Sequence, residues 1–195
     1  MTQRVCISLP TRQTIHAETV SWLLRAYTEL APNVEVQIVH TPHPLEYVRN
    51  EQVRRFLASD CTHLFLLDSD CVPQDGTLQR LLAHDLPFVT APGATRIGDE
   101  TGLLVLDRAP EGRGYVSHFP LDGMQQVAVT GCAGMLIRRD VLMEMVPPWF
   151  RFEMGEDGSL IQGEDFGFCE RLQQSGIEVW ADCDLAQRHW VTVPL

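Results

Sequence analysis

Two acidic sites stand out in this chain for the chemistry they could support. The first is Asp68-Ser69-Asp70, which ends the apolar run "HLFLL" (63–67). Side chains alternate along an extended strand, so Asp68 and Asp70 are expected to point the same way. At the carboxyl end of a parallel strand they would stand over the crevice where open α/β sheets bind ligands. Carboxylate oxygens on one side of a cation suit Mg²⁺ or Mn²⁺, with a diphosphate completing the shell. The same tripeptide also fits a plain polar strand end before the turn "CVPQDG". The second site is Glu164-Asp165. Asp165, Phe168, Cys169 and Leu172 recur at helical spacing, which turns Asp165 toward the protein in a first helical turn. The plain reading of that position is an acidic helix start stabilised by the dipole.

Composition narrows the chemistry. All fifteen basic residues among the 195 are arginine, and there is no lysine. This removes a P-loop lysine, a Schiff-base lysine and lysine-assisted phosphoryl transfer. The formal charge of −11 makes the chain a poor general binder of nucleic acid, whose affinity comes from neutralised phosphates. An anionic substrate would need a metal or clustered arginines. The six cysteines are scattered with no C-x-x-C pair, as expected of reduced, buried residues rather than a zinc ribbon or disulfide framework. No apolar run approaches the roughly 18–20 residues that span a bilayer, and "VCISL" before Pro10 is too short for a signal-peptide core. The expected location is the cytoplasm.

The elements that must position these groups follow from periodicity. Strands are expected at 4–9, 34–39, 63–68 and 88–92, alternating with helices at 16–30, 45–60 and 76–84. In the first helix Val20, Leu23, Leu24 and Tyr27 lie at helical spacing. Such β-α alternation predicts an α/β protein with a mostly parallel sheet flanked by helices. The second half reads as a mixed sheet. Two strands surround a Gly/Pro-rich turn in 102–119, and 126–145 reads as strand, glycine turn, strand and short helix, ended by Pro147-Pro148. A helix over 164–175 and a strand over 177–182 follow. One domain over 1–195 is the economical reading, with a nucleotide-fold front half (1–92) and a mixed-sheet back half (93–195). Gly131 and Gly134 in "GCAG" would let backbone approach a ligand, or mark a tight turn. Trp149 and Phe150 would form a sugar platform or pack in the core.

Taken in order, these segments resemble small glycosyltransferases of the GT-A fold, family-2-like ones found as stand-alone bacterial and phage proteins. "VCISLPTR" is similar to the opening strand and nucleotide-binding loop. "EYVRNEQVRRFLASDCTHLFLLDSDCVP" is similar to the Arg-Asn helix and D-x-D strand. "VTGCAGMLIRRDVL" resembles the acceptor-side strand, "GEDFGFCERLQQSGIEVWAD" the E-D helix, and "RHW" the terminal metal histidine. The resemblance implies a metal-dependent transferase that moves a sugar from a nucleoside-diphosphate sugar to an acceptor hydroxyl. It implies Mn²⁺ or Mg²⁺ held by Asp70 and His189, with Asp68 on the ribose or on the metal. It implies Asp165 as base with Glu164 beside it. It would make 1–92 the nucleotide-binding half and 93–195 the acceptor and metal half. Pro10, Arg12, Arg49, Asn50, Ser69, Arg96, Gly131 and Gly134 would line the substrates. The acceptor stays open among a glycan, a lipid, a protein or a modified nucleic-acid base.

Two competitors share parts of this pattern. Asp68-Ser69-Asp70-Cys71-Val72 also resembles the first motif of haloacid-dehalogenase-type phosphatases, with Asp68 as nucleophile. Against it stand the missing lysine, the two β-α units before the motif, and "GEDF" opening a helix. A nucleotidyltransferase of similar fold would open with a glycine-rich loop, and "PTRQTIH" has no glycine.

Overall fold

The computed structural model describes residues 2–97, 100–112, 114–118 and 120–190; the side chains of 96, 97, 100 and 101 lie outside that description. The first part runs β1 (Val5–Thr11), α1 (Ala17–Leu30), β2 (Val34–His40), α2 (Leu45–Ala58), β3 (His63–Leu66), β4 (Cys71–Val72), α3 (Thr77–Ala83) and β5 (Phe88–Thr90). Next come β6 (Ala94–Ile97), β7 (Glu100–Leu103), β8 (Val105–Arg108), β9 (Tyr115–Ser117), β10 (Met124–Gln126), β11 (Val129–Thr130), β12 (Met135–Arg138) and α4 (Arg139–Glu144). The chain ends with β13 (Glu153–Met154), β14 (Leu160–Gln162), α5 (Glu164–Gln174), β15 (Trp180–Asp182) and β16 (Arg188–His189).

Seven strands form the central sheet in the order β10-β15-β5-β12-β3-β1-β2. Strands β2, β1, β3, β5 and β15 run parallel, while β12 is antiparallel to both of its neighbours and β10 antiparallel to β15. The sheet is mostly parallel, and it draws strands from both ends of the chain. Burial on both faces explains the continuous apolar run of β3. Leu64 and Leu66 pack with Phe56, Phe88, Phe150 and Phe168 on one side, and Phe65 and Leu67 with Trp22, Leu23, Leu78 and Val89 on the other. Phe150 stacks on Phe168 at 4.3 Å, and Trp149 is buried beside it, so both aromatics serve the core.

Helix α1 turns a different face inward from the one its apolar residues suggest. Thr19, Trp22, Leu23 and Ala26 are buried, whereas Val20, Leu24 and Tyr27 face solvent. The reason is specific pairing. The Trp22 indole lies against Phe65 and donates to the Gln74 carbonyl at 3.2 Å, and the Thr19 hydroxyl donates to the Cys71 carbonyl at 2.9 Å. A buried hydroxyl costs little once hydrogen-bonded, so Thr19 belongs inside although no hydropathy pattern places it there. All six cysteines are free and buried. No helix among the described residues is long and apolar enough to cross a membrane.

Candidate active site

The acidic tripeptide sits one step beyond its strand. Strand β3 stops at Leu66, and residues 68–70 form a turn rather than the extended alternation expected from sequence. Three successive carbonyls of this turn are each satisfied by a different partner. Cys71 N–H donates to the Asp68 carbonyl (3.2 Å), His16 N–H to that of Ser69 (2.8 Å), and Trp190 N–H to that of Asp70 (2.9 Å). With its backbone committed, the turn presents the Asp68 and Asp70 side chains to one cavity of about 600 Å³ at the carboxyl ends of β1, β2 and β3. Pro10, Arg12, Thr41, His43, Arg49, Ser69 and His189 complete much of its wall.

Asp68 meets a cation drawn from the interior. Arg49, on α2, is 1% exposed and donates to Asp68 Oδ1 at 2.5 Å and to Gln52 Oε1 at 3.2 Å. Gln52 in turn donates to the Ser8 hydroxyl at 3.1 Å. Burial pushes the Arg49 guanidinium down, but the Asp68 carboxylate more than offsets it and the net direction is up. The guanidinium thus stays charged.

Asp70 is joined to His189 by a two-stranded ladder separate from the main sheet. Strand β16 pairs antiparallel with β4, setting His189 opposite Cys71. His189 Nε2 lies 3.5 Å from Asp70 Oδ2, and Nδ1 lies 3.3 Å from the Ala94 carbonyl. A carbonyl can only accept, so Nδ1 carries a proton; the protonated ring also points an Nε2 N–H at Asp70, whereas the neutral ring presents there an Nε2 lone pair that a cation would take. The hydrogen bond between the two lowers the Asp70 carboxyl and raises His189, with burial opposing both shifts. A carboxylate oxygen and an imidazole nitrogen aimed at one point, with open cavity beside them, fit a divalent cation; the imidazole suits Mn²⁺ better than Mg²⁺.

A smaller cavity of about 130 Å³ adjoins this site, sharing Arg49, Asp68 and His189 with it. Its far wall holds Glu164 and Asp165, and Gly131, Cys132 and Ala133 form another side. Helix α5 delivers the carboxylates because Phe168, Cys169 and Leu172 are completely buried on its inner face. Asp165 Oδ1 accepts from Phe166 N–H at 2.9 Å. Burial raises the Asp165 carboxyl, with that N–H opposing; burial and then the Asp165 charge raise Glu164. A helix start would by itself lower both, so burial wins here.

Three sequence expectations take other roles or fall outside the description. Asn50 does not face either cavity. Its side chain accepts from the backbone N–H of Trp149 (2.8 Å) and Phe150 (3.2 Å) and donates to the carbonyls of Glu46 (2.7 Å) and Phe150 (2.6 Å). Asn50→Ala is therefore expected to lower unfolding free energy by roughly 2–4 kcal/mol, through two buried donors left unpaired, as read by urea denaturation. Gly134 is also structural. It lies at φ +88°, donates to the Leu66 carbonyl and accepts from Ala91, and any Cβ would overlap the Ala91 carbonyl and the Gln187 amide. The Arg96 side chain lies outside the described residues. Sequence reasoning missed Thr41 and His43, which the end of β2 carries to the cavity as the end of β1 carries Pro10; that shared position was the available signal. Trp190 gave none, because only the β4–β16 pairing brings it to Asp70, whereas Cys71 follows Asp70 directly in the chain and that adjacency was its signal.

No protein-family model matches the sequence, and no curated protein matches it either. Solved structures do. The chain is similar to A197 from STIV at 19% identity and TM-score 0.70, covering 97% of this chain and 87% of that one. It is similar to GalNAc-T7 with UDP, GalNAc and Mn²⁺ at 12% identity and TM-score 0.58, covering 98% of this chain and 44% of that one. It also matches S. aureus TarS 1-349 with UDP-GlcNAc at 12% identity and TM-score 0.56, covering 99% of this chain and 60% of that one. The chain thus spans about half the length of these two glycosyltransferases. Their likeness, with the mostly parallel sheet, shows a GT-A-like α/β fold for this chain.

Proposed function

We propose that the protein is a metal-dependent glycosyltransferase of the family-2-like type, acting on a nucleoside-diphosphate sugar. The observation that carries this reading is the meeting of Asp70 with His189 beside the buried Arg49–Asp68 pair. The UDP, GalNAc and Mn²⁺ bound to GalNAc-T7 and the UDP-GlcNAc bound to TarS support the same donor class. The nucleoside lies in the larger cavity, against Pro10, Arg12, Thr41 and Asp68, with Ser69 at its edge. Asp70 and His189 hold the cation; when bound, it neutralises charge growing on the leaving diphosphate. The acceptor hydroxyl enters the smaller cavity, where Asp165 takes its proton as the oxygen bonds to the anomeric carbon and the sugar–phosphate bond breaks. Glu164 stands beside it, and Gly131 leaves room for the substrates to approach Asp165. Arg96 belongs with the phosphate-facing cations in this reading. The acceptor class is a glycan, a lipid, a protein or a modified base.

Asp68 is an anion clamped by a buried guanidinium, and the chain has no lysine. Both facts favour this reading over Asp68 as a phosphatase nucleophile. The test is thermal melting with nucleoside diphosphates and nucleotide sugars, with Mn²⁺ or with chelator. A ligand at about 100 times its dissociation constant adds about 2.7 kcal/mol. Wild type is expected to show a Mn²⁺-dependent rise that Asp70→Ala loses. A rise that survives chelator and Asp70→Ala alike overturns the metal role.

A further inference from the structure

The candidate metal site contains a donor that a hard-cation site does not need. The ligand atoms of Asp70, Cys71 and His189 all lie within 4.8 Å of one another. The grouping follows from the fold. Asp70 and Cys71 are neighbours in the chain, and the β4–β16 register sets His189 directly across from Cys71. Cys71 is 1% exposed, yet it lines the same small cavity as His189 and Asp165. Carboxylate oxygens suit Mn²⁺ and Mg²⁺, whereas a thiolate with an imidazole and a carboxylate is a zinc-type set. Zinc holds S, N and O donors at roughly 2.0–2.3 Å, which places tetrahedral neighbours about 3.5 Å apart. A closing of about 1 Å would bring all three onto one ion. One position would then remain for a diphosphate oxygen.

We propose that Cys71 is a conditional third ligand, making this a site where thiophilic cations of the Zn²⁺ class displace Mn²⁺. The inference rests on the reading that Asp70 and His189 hold the cation. With Mn²⁺ the thiol stays protonated and outside the coordination shell. With Zn²⁺ the sulfur bonds to the ion and its proton leaves to solvent, so no oxidant or reductant is involved. Zn²⁺ thereby acts as a competitor, because it commits the site to four positions instead of the six around Mn²⁺.

The experiment uses Cd²⁺ as a spectroscopic stand-in for Zn²⁺ and Mn²⁺ as the hard control. Cd²⁺ titrated into metal-free wild type is expected to give the ultraviolet charge-transfer band of a cadmium–thiolate bond at one equivalent. Cys71→Ser is expected to lose the band, and to lose Zn²⁺ affinity beyond the roughly 10–100-fold that outer partners command, while Mn²⁺ binding by paramagnetic resonance is unchanged. Cys71→Ala, which adds no hydroxyl, must behave the same way, and retained Mn²⁺ binding shows that either variant is folded. Cys61 lies near Glu35 and Asp60 in a second such grouping. A band that persists in Cys71→Ser and vanishes in Cys61→Ser overturns the proposal, as does the absence of any band while Mn²⁺ still binds. If neither cation binds, the metal reading of Asp70 and His189 falls as well.

Discussion

Asp165→Asn is expected to cut sugar transfer by roughly 100- to 10,000-fold while leaving metal-dependent nucleotide binding in place. The amide keeps the shape and can still accept from Phe166 N–H, but it cannot take a proton. Stability is expected to move the other way. Burial raises the Asp165 carboxyl, so the folded protein holds that proton more tightly than the unfolded chain does. The stability contributed by this group is complete below about pH 4 and is lost as pH rises through the raised folded value. At pH 7 the ionised, half-buried carboxylate is a net cost, which the amide removes. The variant should therefore melt above wild type at neutral pH, with the gap closing on acidification toward pH 4. Initial rates with the nucleotide sugar of largest thermal shift, and melts at the two pH values, check both halves. Near-normal transfer would remove Asp165 from the reaction, and a lower melting point at neutral pH would contradict the burial argument.

Asp68→Ala is expected to destabilise the fold itself, which sets it apart from a residue that only binds substrate. Arg49 is 1% exposed, and its Nε already lacks a partner among the described residues. Removing Asp68 leaves a buried guanidinium without its counter-charge, a loss of roughly 3–5 kcal/mol when a buried pair is broken from one side. The Asp68 side chain is 30% exposed, so water reaches the vacated position and the low end, about 3 kcal/mol, applies. The double variant Asp68→Ala/Arg49→Met should recover much of that loss, because no charge is then left stranded. Both variants should lose nucleotide affinity. Chemical denaturation of the two singles and the double closes the cycle. A single Asp68→Ala variant as stable as wild type would mean that Arg49 finds another partner.

Much of the architecture was legible because it is local. The apolar run of β3, the alternation of 34–39 and the helical spacing over 164–175 are repeats of two or 3.6 residues. They survive in any tertiary setting that buries one face, and they yielded the β-α order and the inward turn of Asp165. The orientation of α1 was not legible. Its apolar residues form a plausible stripe, but the position of Phe65 and the Cys71 carbonyl selected the neighbouring stripe with Trp22 and Thr19. Likewise, nothing local says that β12 inserts antiparallel between β3 and β5; that depends on Gly134 turning the chain beside Leu66 and Ala91.

The candidate site divides along the same line. Sequence by itself determined the types and neighbourhoods of the reactive groups: two carboxylates after an apolar strand, two at a helix start, arginine as the sole long cation, and a histidine near the end. Tertiary structure alone decided their company. It placed Arg49 behind Asp68, bent Asp68 and Asp70 out of the strand into a turn, retired Asn50 and Gly134 to packing, and brought His189 to Asp70 and Cys71. The physical reason is that periodicity encodes which face of an element is buried, whereas ion pairs and ligand sets depend on distances between elements. Those distances are settled only when the whole core closes.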